Sequence, residues 1–276
     1  MTGSWKDNFK TSNFWPTHFN PELFIMSQWQ SDKETPSLIY LCVRLAVFVS
    51  FFVIWILTYT MEPSAGKPRW PVFLTNWGMT LNVLQSFLSC LMLTCAIIGT
   101  KVLDNDALKE SVLKCYKTYW VLNVMATSVA FTITFIYWTL IYKQTGSYWS
   151  TMNFMVHGFN SVLMFVDFCL VAHPVRFLHL IYPIAITFAY TIMTAIFYVC
   201  GGTMRDGSRY IYPILKWDQP VPTIGYCAAV LILLTIMHIT TFFLYKLKTV
   251  IGNCIFGEDS MIPDGFEEQS TKMMVV

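Results

Sequence analysis

The chain has 276 residues, of which 55% are hydrophobic, 17% aromatic and only 12% charged. A soluble domain carries about 25% charged residues, so half the usual charge for covering a water-facing surface is missing, and mean hydropathy is +0.51. Those values exclude a disordered chain and an ordinary cytosolic enzyme, and a net charge of +2 gives no signal for nucleic-acid binding. The composition is that of a membrane protein.

In chain order, residues 1–36 come first. They are polar and aromatic, without the basic end and apolar core of a secretory signal. Trp5, Trp15 and Trp29 suit either the membrane interface or a partly ordered tail. A bilayer crossing needs about 20 mostly apolar residues, and six such stretches follow, at 37–59, 72–99, 119–142, 151–172, 178–200 and 221–245. The expected architecture is all-α, a polytopic bundle of six transmembrane helices over 37–247, followed by a tail at 248–276. Prolines cluster at the span edges, where a helix starts or stops without losing a hydrogen bond. Pro183 falls inside the fifth span and predicts a later start or a kink. Spans this long exclude the ten-residue alternation of a β-barrel.

Six crossings put both termini on one side of the membrane. That side would hold eleven of the Lys and Arg residues, and the opposite loops six. The positive-inside rule then predicts cytoplasmic termini. Eight cysteines are scattered, mostly within spans, so they do not form a disulfide framework. Cys200 and Cys227 either pair near the outer face or remain ordinary thiols. Cys254, just past Lys246 and Lys248, stands where palmitoylation occurs, or is an unmodified thiol. There is no Asn-x-Ser/Thr sequon. Met274, Val275 and Val276 form an apolar end of the kind that adds a strand to a PDZ-type groove.

Polar residues inside spans usually face the bundle interior, because lipid cannot satisfy them. At 100° per residue, Thr75, Asn82, Ser86 and Ser89 share an arc of about 60°, with Gln85 beside them. Asn153, His157, Asn160, Ser161 and Asp167 share roughly 120°. Asn123, Thr127 and Thr134 form a third stripe. Facing stripes predict a buried polar seam, read either as interhelical hydrogen bonding or as the wall of a wet cavity. Asp167 and Arg44 both lie roughly 7–11 Å inside the same boundary, which predicts a structural ion pair; the alternative has Arg44 snorkelling to the headgroups. Thr75 and His157 lie at similar depth near the opposite boundary and could act as nucleophile and general base. Haem or another metal is not expected, since His157 and His238 lie near opposite faces, and no cofactor is predicted. His173 and His179 flank a short turn, where Arg176 and His179 are placed against lipid phosphates.

Several motifs carry a resemblance. Leu74-Thr75-Asn76-Trp77-Gly78, the run from Val156-His157-Gly158 to Leu163, Pro174-Val175-Arg176-Phe177-Leu178-His179, Gly201-Gly202 and the run from Tyr210 to Trp217 resemble the rolling stone family of multi-pass membrane proteins. The resemblance runs from about Arg69 to Tyr245, leaving out the first 36 residues and the tail. It implies a role in cell–cell (myoblast) fusion or muscle development. More distantly, Leu74-Thr75 and Val156 to Ser161 resemble the androgen-induced family of membrane hydrolases, which cleave fatty-acid esters of hydroxy fatty acids with a threonine nucleophile and a histidine. That family's second histidine is Asn160 here, and its preceding asparagine is Val156. The resemblance implies Thr75 as nucleophile and His157 as base, with Asn76 or Asn160 steadying the oxyanion.

Three classes of function follow. One is adhesion or fusion, with a protein partner at the loop from Gly201 to Pro220, rich in Arg205, Arg209, Tyr210, Tyr212 and Trp217. Another is a lipid-ester hydrolase fed from the membrane. The third, solute transport, lacks the expected inverted repeats. Membrane lipids are partners in every case, nucleic acid in none, and the fusion role favours the plasma membrane over the endoplasmic reticulum.

Overall fold

The computed structural model describes residues 5–32, 35–64, 66–103, 106–142 and 150–257. Lys33, Lys143, Lys272 and the Met274–Val276 end lie outside them. Six helices are long and apolar enough to cross a membrane: Leu38–Thr60, Leu74–Lys101, Tyr116–Ile141, Thr151–Leu170, Phe177–Val199 and Pro220–Phe256. They are called here the first to sixth spans. Spans two and three form the centre of the bundle, each 56% buried, against 22% for spans five and six, which lie at its periphery. Ile39, Phe52, Phe188 and Ile232 point outward, as lipid-facing residues must.

Local chemistry sets the helix ends. Ser37 and Ser150 cap the first and fourth spans by accepting hydrogen bonds from the backbone N–H of Tyr40 and Asn153. Pro220 opens the sixth span, at a position where its missing N–H costs nothing. The fifth span begins with the 3-10 turn Phe177–Leu180, so Pro183 falls in the first turn of the regular helix Ile181–Val199. The sixth span continues to Phe256, beyond the expected end near Tyr245, and stops at Gly257, whose φ of +85° suits glycine. A short helix, Asp106–Leu113, interrupts the linker between the second and third spans.

The N-terminal residues are the largest departure from expectation. In place of an interfacial or loose tail, three 3-10 turns lie across one end of the bundle. Leu23, Phe24, Ile25 and Met26 are 0–6% exposed within the first core cluster, against Tyr119, Trp120 and Met92. Glu22 forms an ion pair with Lys109 of the short helix at 2.6 Å. We call this covered side the terminal end and the other the loop end.

Two π-helical turns break the regular spans near the loop end, at Tyr137–Ile141 and Met155–Phe159. They face each other. The indole of Trp138 donates to the freed carbonyl of His157 at 3.1 Å, and the Tyr137 and His157 rings stack with centroids 3.5 Å apart. Such turns are frequent at functional sites.

Candidate functional site

The three polar stripes meet in the bundle interior. Asn82, Gln85, Ser86, Ser89, Asn160 and Asp167 are at most 2% exposed. Arg44 Nη1 contacts Asp167 Oδ1, and its Nη2 donates to the Tyr119 hydroxyl at 2.9 Å. Asn123 Nδ2 donates to the other Asp167 oxygen at 3.0 Å and to Gln85 Oε1 at 3.2 Å. A guanidinium that is 1% exposed is not snorkelling. The acceptors around it offset the cost of holding two charges out of water.

Below this pair, the fourth span ends without a glycine cap, and its last carbonyls are taken up by other parts of the chain. Val171 N–H donates to Asp167 O at 3.2 Å. Lys248 Nζ donates to Phe168 O at 2.9 Å and to Val171 O at 2.6 Å. The Trp29 indole donates to Cys169 O at 2.6 Å, and Gln28 N–H to Leu170 O at 2.8 Å. A lysine at a helix C-terminus also meets the negative end of the helix dipole. His173 is buried between Phe24 and Tyr119, and burial, aided by the nearby positive charge of Lys248, holds its pKa well below the usual imidazole value.

The phosphate contact expected of His179 has no room to form. His179 is 0% exposed, packed against Trp120 and Tyr182. Arg176 donates to Trp15 O at 3.0 Å and lies over the Trp120 ring. The N-terminal turns pack beside both residues.

At the loop end the bundle is hollow. A cavity of about 610 Å³, open to the outside, is lined by residues of all six spans and by Ile211, Tyr212, Pro213, Ile214 and Leu215 of the last loop. Its volume suits one drug-sized ligand. Thr75 and His157 both line it, as do Asn76 and Asn153. Among the described residues no hydrogen bond links Thr75 to His157. Thr75 is engaged with the hydroxyl of Tyr212, whose pKa burial pushes up against the effect of that hydrogen bond. The imidazole lies flat on Tyr137, and its Nδ1 is buried without a partner among the described residues.

The two asparagines separate. Asn76 donates to Trp70 O at 2.6 Å beside the cavity. Asn160 lies deeper, 0% exposed, and bonds to Asn82, outside the cavity wall. Ser161 and Thr134 join the third and fourth spans at 2.6 Å.

Sequence reasoning missed four contributors. Tyr137 and Tyr190 line the cavity, and so does Tyr212, which the sequence reading assigned to the partner surface of the last loop. Lys248 reads as a tail lysine; the spacing His238, Thr241, Tyr245, Lys248 was the available signal, because all four are buried along one face of the sixth span. All eight cysteines are free, with Cys200 and Cys254 exposed. Among the described residues no three His, Cys, Asp or Glu side chains gather as metal ligands.

Six apolar helices, an ion pair sealed at one end and a cavity at the other define a polytopic α-helical membrane protein that holds its polar groups away from lipid. The chain belongs to the rolling stone family: the family model described as Protein rolling stone matches residues 1–258. It is 29% identical over 255 residues to Protein rolling stone of Drosophila melanogaster, covering 90% of this chain and 91% of that one. The match reaches the N-terminal turns, which the motif resemblance left outside. No solved structure matches the chain.

Proposed function

We propose that the protein works by holding a membrane amphiphile in the loop-end cavity, and that its setting is cell–cell (myoblast) fusion or muscle development, the role implied by its family resemblance. One observation carries the cavity reading: all six spans and the last loop together line a hollow of about 610 Å³. In this reading both termini face the cytoplasm, following the Lys and Arg distribution, the membrane is the plasma membrane, and the 201–220 loop faces outward to a protein partner. Arg69 Nε donates to Thr203 O at 2.6 Å, and Arg205 lies 3.5 Å from Glu62, so the loop is tied down over the cavity mouth.

Two measurements test it. Protein purified in mild detergent should release a defined lipid by mass spectrometry, in near-stoichiometric amount; recovery of only bulk lipid at background level contradicts the cavity reading. Replacing residues 203–210, which lie clear of the cavity lining, by a Gly/Ser linker should lower fusion at unchanged surface expression, and undiminished fusion removes the loop's assigned role.

A second reading, lipid-ester hydrolysis, draws support from Thr75 and His157 lining the same cavity. Once the Tyr212 bond to Thr75 is released, Thr75 would attack the ester carbonyl as His157 took its proton, with Asn76 the nearer oxyanion donor; the alcohol would leave with that proton, and water, deprotonated by His157, would release the acid from the acyl-threonine. A fluorophosphonate probe should then label the protein, and Thr75→Ala should abolish labelling. Labelling that persists in that variant excludes Thr75 as nucleophile.

A further inference from the structure

The wall of the cavity and its mouth differ in chemistry. Leu74, Ile133, Ile136 and Val230 give the wall an apolar surface along which an acyl chain can lie, and the volume suits one such chain. Glu62 marks the mouth: it lines the cavity, yet 31% of its side chain remains exposed.

Cations gather around Glu62. Arg205 Nη1 lies 3.5 Å from its Oε1, and Arg69 Nε donates at 2.6 Å to the carbonyl of Thr203, two residues before Arg205. Arg69 also precedes Trp70, a lining residue whose indole donates to Thr58 on the same wall at 3.1 Å. Lys67 lies over the Tyr59 ring, which packs edge-on against Trp70. Among the described residues, the acids beside these three cations are Glu62 and Asp206, and Asp206 is turned back to accept from Ser208 N–H at 3.0 Å. The mouth therefore keeps a net positive charge.

That charge favours one kind of headgroup. Apolar walls of low dielectric focus the field of charges at a mouth, which draws in ions of opposite sign. The Arg205–Glu62 pair is long and half exposed, so it contributes little and is readily exchanged. A guanidinium fork meets a carboxylate or phosphate through two parallel hydrogen bonds, a closer match than that single contact.

Resting on the reading that the cavity holds an amphiphile, we infer that its occupant is a single-chain lipid with an anionic headgroup, carboxylate or phosphate, held at the mouth by Arg69 and Arg205 while its chain lies along Leu74, Ile133, Ile136 and Val230.

The test uses the full-length protein in uncharged detergent at about pH 8, above the carboxylic range. Three diazirine-tagged probes of equal chain length are compared: a fatty acid, a lysophosphatidic acid and a monoacylglycerol. The better of the two anions should label cavity-wall peptides about tenfold more than the monoacylglycerol, and its identity names the headgroup. Replacing both arginines, Arg69→Gln with Arg205→Gln, should cut that labelling about tenfold and leave the monoacylglycerol's unchanged. Labelling by the monoacylglycerol that matches the better anion overturns the anionic headgroup but leaves the cavity reading standing. Failure of all three probes overturns both. Undiminished anion labelling in the folded double variant removes the two arginines as the contact. If that variant does not fold, the ranking of the three probes on the unaltered protein decides alone.

Discussion

The two ends of this bundle use the same kinds of residue to opposite effect. At the terminal end Arg44, Asp167, Asn123, Gln85 and Lys248 are dry and bonded to one another or to open carbonyls. At the loop end Thr75, Asn153 and His157 line a space. Burial explains why the first group is structural. An unsatisfied charge in low dielectric is so unfavourable that partners must be permanent. Polar groups on a cavity wall can exchange partners with whatever enters, and that freedom is what a binding site needs.

The contrast should break first at Asp167. Asp167→Ala leaves Arg44 buried without its carboxylate and should cost about 3–5 kcal/mol, seen as a large drop in thermal midpoint in detergent; Arg44→Leu added to it should recover part of the loss. No loss in the single variant would mean that the pair is not structural. Lys248→Met comes next. It strips two carbonyls at the end of the fourth span of their donor and should cost about 2 kcal/mol, with weaker docking of the N-terminal turns, measured as faster proteolysis near Trp5–Ile25.

A smaller effect concerns pH. His173 is kept neutral in the folded protein, so below its ordinary pKa near 6.5 the unfolded chain takes up a proton that the folded one refuses. Stability contributed by the neutral imidazole is complete above about pH 6.5 and should fall as pH drops beneath it, by up to about 1.4 kcal/mol per pH unit. His173→Phe should flatten that slope, and an unchanged slope would assign it to other groups. Smallest of all, Thr75→Val on the cavity wall loses one half-exposed hydrogen bond and should cost about 1 kcal/mol or less. A cost equal to that of Asp167→Ala would erase the distinction between the ends.

Much of this plan was legible in the residues. Hydropathy located the six crossings, and helical period turned Asn82, Asn123 and Asp167 inward, because both depend on local spacing alone. Counting depth brought Arg44 level with Asp167 and Thr75 level with His157. What escaped was contact across long separations without periodicity. The turns holding Phe24 and Trp29 have no amphipathic repeat, yet they cover residues more than a hundred positions away. The same holds for Tyr212, which reaches Thr75 from a loop, and for Asn160, which depth placed near His157 but which turns deeper to Asn82. The two π-helical turns have no signature in composition, and they decide where the His157 ring and carbonyl point.

Thiol labelling tests the asymmetry most directly. In a chain whose native cysteines are replaced, Thr75→Cys and Ser89→Cys would each be exposed to a small water-soluble maleimide. The account predicts rapid reaction at position 75, slowed by a bound lipid, and none at 89 until the protein is denatured. Equal reactivity at the two positions, or protection at 75 alone, would contradict a bundle sealed at one end and hollow at the other.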